Sequence, residues 1–244
     1  TLEAERAERP DDPAVTQLYA RALAAAGRTD EGLDVLERFA DTHASDPDAW
    51  SMVGQFLLAQ GDPEDVPQAL GMFRRALALS PEHQPALRGM IDVQYRLGNT
   101  GAALVLAERY LEKRPEDGPI HYLSALVLAN TPGRTDEALA SVTRAIDVAP
   151  RPEYYSLRGF ILLDLGAHAE ALSDLRRYLE ARPPVTADLD AAMAEAYLAT
   201  GDPIMAQQYF DSAQRKIATG EIVDMRRMRK VEEALLEQAQ SDVG

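Results

Sequence analysis

The chain has 244 residues and carries 25 Lys and Arg against 40 Asp and Glu, a formal net charge of −15. Such a body repels a phosphate backbone, which argues against nucleic acid as a partner. The chain contains no cysteine, which excludes disulfides, thiolate metal sites and cysteine nucleophiles. No apolar run approaches the roughly 20 residues of a membrane-spanning helix, so no membrane span is predicted in this segment.

The first residues, 2–10, read like the end of a helix. Glu8-Arg9-Pro10 matches Lys113-Arg114-Pro115 and Ala181-Arg182-Pro183 further along the chain. We therefore expect residues 1–12 to be the tail of a preceding helix or repeat.

Three interlocked series of residues then recur with one period. Prolines 33 to 35 residues apart stand at Pro47, Pro81, Pro115, Pro150 and Pro183. Glycines recur at Gly27, Gly61, Gly98, Gly133, Gly166 and Gly201. An alanine stands twelve residues before four of the prolines, at Ala69, Ala103, Ala138 and Ala171. Self-similarity at one period of this length indicates a repeat architecture.

Each period contains two predicted helices. Residues 49–59 and 86–97 have apolar positions three and four apart, which is typical of a first helix. Glycine ends it by accepting the left-handed conformation of a helix stop. A second helix follows, as in residues 68–79 and 169–181, and proline blocks its continuation. The alanines are expected where the two helices cross closely.

This pattern resembles the tetratricopeptide repeat. The best-matching unit carries Trp50, Gly54, Leu57, Ala69, Phe73, Ala76 and Pro81, whereas the next unit has Ile91 where a small residue is usual. The resemblance implies an all-α fold, a right-handed α-solenoid of antiparallel helix pairs with a C-terminal capping helix. The expected units are residues 13–47 (a degenerate repeat), 48–81, 82–115, 116–150, 151–183 and 184–220, followed by a capping helix at 221–240.

The predicted C-terminal helix carries an apolar stripe at Ile222, Met225, Met228, Val231, Leu235 and Leu236. We expect this stripe to cover the last repeat, as a solenoid needs at its end. The alternative is a docking helix for a second copy of the chain.

A search for chemistry finds no catalytic arrangement. The histidines at His43, His83, His121 and His168 lack metal-ligand spacing. No phosphate-binding glycine loop and no Gly-x-Ser-x-Gly nucleophile turn are present. We therefore predict no catalytic residue, no metal and no cofactor, and a chain that is not an enzyme.

The resemblance implies a concave groove lined by the first helix of each repeat. The predicted peptide-binding residues are Arg21, Gln55, Arg88, Asp92, Tyr95, Arg96, Tyr122, Asn130, Phe160 and Asp164. Further inward candidates are Gln17, Ser51, Leu58, Leu126, Ser156, Leu163, Glu195 and Leu198. Some family members hold a peptide's terminal carboxylate with lysines and asparagines, but no lysine stands among these positions. The mixture instead suits an extended or helical peptide with aromatic anchors and a few polar contacts.

The sequence thus favours a non-catalytic scaffold or adaptor that binds a protein segment or peptide. Two alternatives stay open: a structural subunit that self-assembles through its terminal repeats, and a regulatory region of a larger multidomain protein or enzyme. The frequent use of alanine, arginine and aspartate is typical of bacterial proteins, in which such repeats often serve complex assembly. Cytoplasm and periplasm both tolerate a cysteine-free chain, so the compartment is undecided.

Overall fold

The computed structural model describes residues 2–241, whose regular elements are fourteen α-helices and one short 3-10 turn, without a strand. The predicted all-α fold of antiparallel helix pairs is confirmed. The chain forms two compact units, unit 1 up to Pro115 and unit 2 from Glu116 onward. Each unit is a stack of helix pairs.

Unit 1 contains α1 to α7. The helices are α1 (Leu2–Glu8), α2 (Pro13–Ala25), α3 (Thr29–Thr42), α4 (Pro47–Gln60), α5 (Val66–Leu79), α6 (Gln84–Arg96) and α7 (Thr100–Lys113), with the 3-10 turn at Pro63–Asp65. The pairs are α2 with α3, α4 with α5 and α6 with α7, and α4 also packs on α6. Aspartate caps begin two of the first helices, since the Asp12 and Asp46 carboxylates accept from backbone N–H groups of α2 and α4.

Unit 2 contains α8 to α14. The helices are α8 (Gly118–Ala129), α9 (Thr135–Val148), α10 (Pro152–Asp164), α11 (His168–Glu180), α12 (Ala187–Ala199), α13 (Pro203–Ala218) and α14 (Met225–Ser241). The pairs are α8 with α9, α10 with α11 and α12 with α13. The last helix, α14, packs on both α12 and α13.

The recurring glycines and alanines have the structural roles that their spacing predicts. Gly61 and Gly98 end first helices with φ values of 80° and 73°, a conformation that a residue with a Cβ adopts only under strain. The predicted crossing alanines and Ala206 are fully buried where paired helices meet. The α4 and α5 helices observed at Pro47–Gln60 and Val66–Leu79 contain the predicted residues 49–59 and 68–79.

The C-terminal helix differs from the prediction in its start and its buried face. It begins at Met225 rather than at residue 221, because the chain turns at Gly220 and residues 221–224 then run in a non-helical conformation, bonded to the start of α12 through Glu221 and Asp224. Ile222 therefore lies outside the helix and is 91% exposed, and Met225 and Leu236 are exposed as well. Of the predicted stripe, Met228 and Val231 are buried and Leu235 is partly buried.

Candidate functional site

In unit 1 the first helices α2, α4 and α6 line two adjoining depressions. The smaller, about 240 Å³, lies between Gln17 and Arg21 of α2 and Met52 and Gln55 of α4. The larger, about 580 Å³, lies between α4 and α6 and is lined by Gln55, Leu58, Arg88, Asp92 and Arg96. Gln55 borders both. We call this surface the α2–α4–α6 face.

Helical spacing brings the predicted residues of unit 1 to this face. Arg88, Asp92 and Arg96 follow one another at intervals of four on α6, which places them on one side of the helix. Five of the predicted binding residues, Arg21, Gln55, Arg88, Asp92 and Arg96, therefore border the two depressions. Buried Met52 and Leu58 supply an apolar floor beneath this polar rim.

Hydrogen bonds hold the polar rim in place. The Arg96 Nε donates to Asp92 Oδ1 at 3.0 Å along α6. The Arg88 Nε donates to the Tyr110 hydroxyl of α7, also at 3.0 Å. Gln55 Nε2 donates to Ser51 Oγ at 3.2 Å, which leaves the Gln55 oxygen and second N–H outside this bond. The rim thus offers ordered guanidinium and amide groups to a ligand.

Tyr95 is a predicted anchor that borders neither depression. It is partly buried on α6. A helix turns about 100° per residue, so Tyr95 points to a different side from Arg96, which does border the larger depression.

Two predicted residues of unit 2 take part in packing and capping. The Tyr122 ring stacks on Tyr154, with ring centroids 4.7 Å apart, and burial raises the pKa of Tyr154. Asn130 stands at the C-terminal end of α8, where its Nδ2 donates to the Leu126 carbonyl at 2.8 Å.

Phe160 and Asp164 of α10 are brought together, but against α14. The Arg227 guanidinium lies over the Phe160 ring, 5.2 Å from its centroid. The same group donates to Asp164 Oδ1 at 3.0 Å and, through Nε, to Glu195 Oε2 of α12 at 2.8 Å. Lys230 also donates to Glu195.

The sequence analysis did not predict that α14 packs over Phe160, Asp164 and Glu195. It assigned α14 to packing through apolar residues and did not consider its basic ones. The available signal was the basic cluster Arg226, Arg227, Arg229 and Lys230 in a chain of net charge −15. Basic side chains in an acidic protein are attracted to carboxylates, and here they pair with Asp164 and Glu195.

Within residues 2–241, no group of three or more His, Cys, Asp or Glu side chains is placed to hold a metal ion. In the same residues, no helix combines the length and apolarity needed to cross a membrane.

Solved structures share this arrangement of helices. PilF of Pseudomonas aeruginosa superposes with a TM-score of 0.73 over 90% of this chain and 96% of its own, at 13% identity. PilW, described as a type IV pilus biogenesis factor, superposes with a TM-score of 0.70 over 89% of this chain and 97% of its own, at 15% identity. MamA from Desulfovibrio magneticus RS-1 gives 0.55 over 69% and 94%, at 21% identity. At such identities the likeness concerns the fold.

Sequence comparisons identify the family. The protein CTR9 homolog of Arabidopsis thaliana is 24% identical over 173 residues, which cover 69% of this chain and 15% of the relative. The chain therefore matches only a small part of the length of that protein. Family models described as tetratricopeptide repeats match residues 13–56, 57–127 and 133–186. Because these matches together span more than half of the chain and the helix pairs follow the same period, the chain belongs to the tetratricopeptide repeat family.

Proposed function

We propose that this chain is a non-catalytic scaffold that binds a segment of another protein on the α2–α4–α6 face. Repeat proteins of this kind use extended surfaces built from successive repeats to hold their partners. The observation that carries the proposal is the pair of depressions that meet at Gln55, one on each side of α4.

The chemistry of the face suits a peptide better than a reaction. Its polar groups are guanidinium and amide side chains with one carboxylate, Asp92, which is already bonded to Arg96. A peptide backbone offers the carbonyl acceptors that arginine and glutamine recognise. The buried Met52 and Leu58 beneath them fit apolar side chains of the segment.

The expected affinity is modest. Each apolar side chain buried in the floor contributes about 1.5–3 kcal/mol. Loss of translational freedom and ordering of the segment offset much of that gain. A dissociation constant in the micromolar range, about −8 kcal/mol, follows for a segment with two or three anchors.

A first test is to replace Gln55, the polar residue that both depressions share. Gln55→Arg introduces a longer, charged side chain between the two depressions and is expected to weaken peptide binding at least tenfold. Peptides would be selected from a random display library on the wild-type chain, then measured with both chains by fluorescence polarisation.

Gln214→Arg is the matched control, because Gln214 is exposed on α13 and the same charge is added. We expect it to bind the selected peptides as the wild type does. If no peptide is enriched, or if Gln55→Arg binds as tightly as the control, the assignment of this face is wrong.

A further inference from the structure

Unit 2 carries an acidic face at the position where α10 and α12 run beneath α14. Asp164 is the last residue of α10, and Glu195 lies in the second half of α12. Phe160 lies one turn before Asp164 and presents its ring to the same side. We call the surface formed by Phe160, Asp164 and Glu195 the α10–α12 face.

The occupant of this face is α14 of the same chain, whose first six residues include four cations and whose remainder carries three glutamates. The side chains of Arg227 and Glu195 are only 10% and 7% exposed, so their ion pair is shielded from water. Both carboxylate oxygens of Glu195 accept hydrogen bonds from α14, one from Arg227 and one from Lys230. Charge-assisted bonds of this kind are about twice as strong as neutral ones. The face therefore recognises a helix by two cations three residues apart.

The apolar part of the contact is narrow. Met228 and Val231 pack with Phe210 and the small side chains of α12 and α13. Leu235 follows one turn later and is partly buried. Arg227, Met228, Lys230, Val231 and Leu235 thus form one strip, with cations on one edge and apolar residues on the other.

The outer side of α14 is mostly polar, with Arg226, Arg229, Glu232 and Glu233 exposed, and three exposed apolar side chains interrupt it. A terminal cap is expected to present a polar outer surface. Here Met225 and Leu236 on α14 and Ile222 just before it remain exposed.

The segment before α14 is attached to the start of α12. Glu221 accepts from the Ala187 N–H at 2.8 Å, and the Asp224 N–H donates to Asp188 at 2.7 Å. The Arg226 guanidinium, bonded to Asp224, holds the pKa of that carboxyl below its ordinary value. A helix attached in this way meets its face at a high effective concentration, which adds to the binding by its own ion pairs and apolar contacts.

From this geometry we propose that α14 is a displaceable internal ligand, and that the α10–α12 face binds a basic amphipathic helix of a partner protein. The partner helix carries Arg or Lys at positions equivalent to 227 and 230 and apolar residues at positions equivalent to 228, 231 and 235. Occupation by α14 lowers the apparent affinity for the partner, because only the fraction of molecules with α14 displaced can bind. This site is independent of the α2–α4–α6 face.

The test weakens the internal ligand in the full chain and supplies the same helix from outside. The variant is Arg227→Glu with Lys230→Glu, and the probe is a fluorescent peptide with the sequence of residues 223–240. We expect the peptide to bind this variant at least tenfold more tightly than the wild-type chain. The control, Arg215→Glu with Arg229→Glu, changes the charge equally at two exposed positions and is expected to bind as the wild type does.

Each other outcome overturns the proposal. Equal peptide binding by the variant and the control means that α14 does not compete for the face. A released α14 loses its own share of the helical circular dichroism, but a loss that extends well beyond 17 residues means that α14 is an obligatory part of the fold. Dimers of the wild-type chain that the variant lacks, measured by light scattering, mean that the occupant is a second copy.

Hydrogen exchange on the wild-type chain provides a readout without substitution. Saturating peptide is expected to remove protection from the amides of α14 while the amides of α12 stay protected. Exchange of α14 only together with α12 contradicts displacement. The Gln55→Arg variant leaves this experiment unchanged, so its result is separate from that for the α2–α4–α6 face.

Discussion

The Phe73 ring is the residue-level contact that joins α4, α5 and α6. It is fully buried on α5 and meets a glycine on each neighbouring helix. A Cβ added to Gly54 would lie 2.8 Å from the ring, and one added to Gly89 would lie 2.1 Å from it. Both distances are far below van der Waals contact, so the helices approach this closely only because both positions lack a side chain.

Gly89→Ala is therefore expected to destabilise unit 1. Overpacking of this kind typically costs about 1–3 kcal/mol, which outweighs the gain of about 1 kcal/mol in helix propensity from glycine to alanine. The free energy of unfolding would be measured by urea titration, followed by the fluorescence of Trp50, the chain's single tryptophan.

Gly71→Ala is the matched control for that substitution. Gly71 lies on α5, and a Cβ there would meet nothing within 4 Å. Only the propensity gain remains, so the free energy of unfolding should rise by about 0.5–1 kcal/mol. Similar changes for the two substitutions would contradict the packing argument.

At the scale of elements, an ion pair joins α10 to α11 within one repeat. The Arg158 guanidinium donates from Nε and Nη2 to the two oxygens of Asp174, at 2.6 and 2.9 Å. Asp174 is buried, and its carboxylate raises the pKa of Arg158. A bidentate ion pair of this geometry fixes the position of α10 along α11 and also holds the two helices together.

Replacing Asp174 with asparagine removes the negative charge while keeping the shape of the side chain. We expect a loss of about 1.5–3 kcal/mol in the free energy of unfolding, the typical value of hydrogen bonds to charged groups. Circular dichroism during thermal unfolding measures it. Asp34→Asn serves as the control, since its pair with Arg38 is solvent-exposed and such pairs contribute about 0–1 kcal/mol. Equal shifts in both variants would argue against a structural role for the α10–α11 pair.

At the scale of the whole molecule, the charge of −15 acts on stability. Excess negative charge repels itself in the folded state. Several ion pairs, such as Arg28 with Glu31 and Lys113 with Glu82, lie on the exposed surface, where each contributes little. Added salt screens both effects, and at a net charge of −15 we expect the repulsion to be the larger of the two.

Raising sodium chloride from about 0.02 M to about 0.3 M, which shortens the Debye length to less than half, should therefore stabilise the chain. A gain of about 1 kcal/mol corresponds to a rise of about 2–4 °C in the thermal midpoint for a chain of this size. Scanning calorimetry in a series of salt concentrations measures the shift. A midpoint that falls with salt would show that attractive pairs outweigh the repulsion.

Much of this architecture could be read from the sequence because the signals are local. Gly61 and Gly98 end their helices through their own backbone freedom, and Ala69 permits a crossing with the helix just before it. The α2–α4–α6 face is equally local, since residues four apart on α6 share one side of the helix. Gly89 was not predicted, although it stands 35 residues after Gly54, because the spacing from the helix-ending Gly98 places the equivalent position at Ile91 and the contact with Phe73 crosses between repeats.

The sequence by itself determined the repeat period, the helix pairs and the side of each first helix that faces away from its partner. Only the tertiary structure decided what lies on that side. In unit 2 it placed Tyr154 against Tyr122 and the basic helix α14 over Phe160 and Asp164. The physical reason is distance along the chain. Periodicity reports how a helix packs on adjacent elements, whereas the contact between residues 164 and 227 depends on a turn at Gly220 and on charge complementarity.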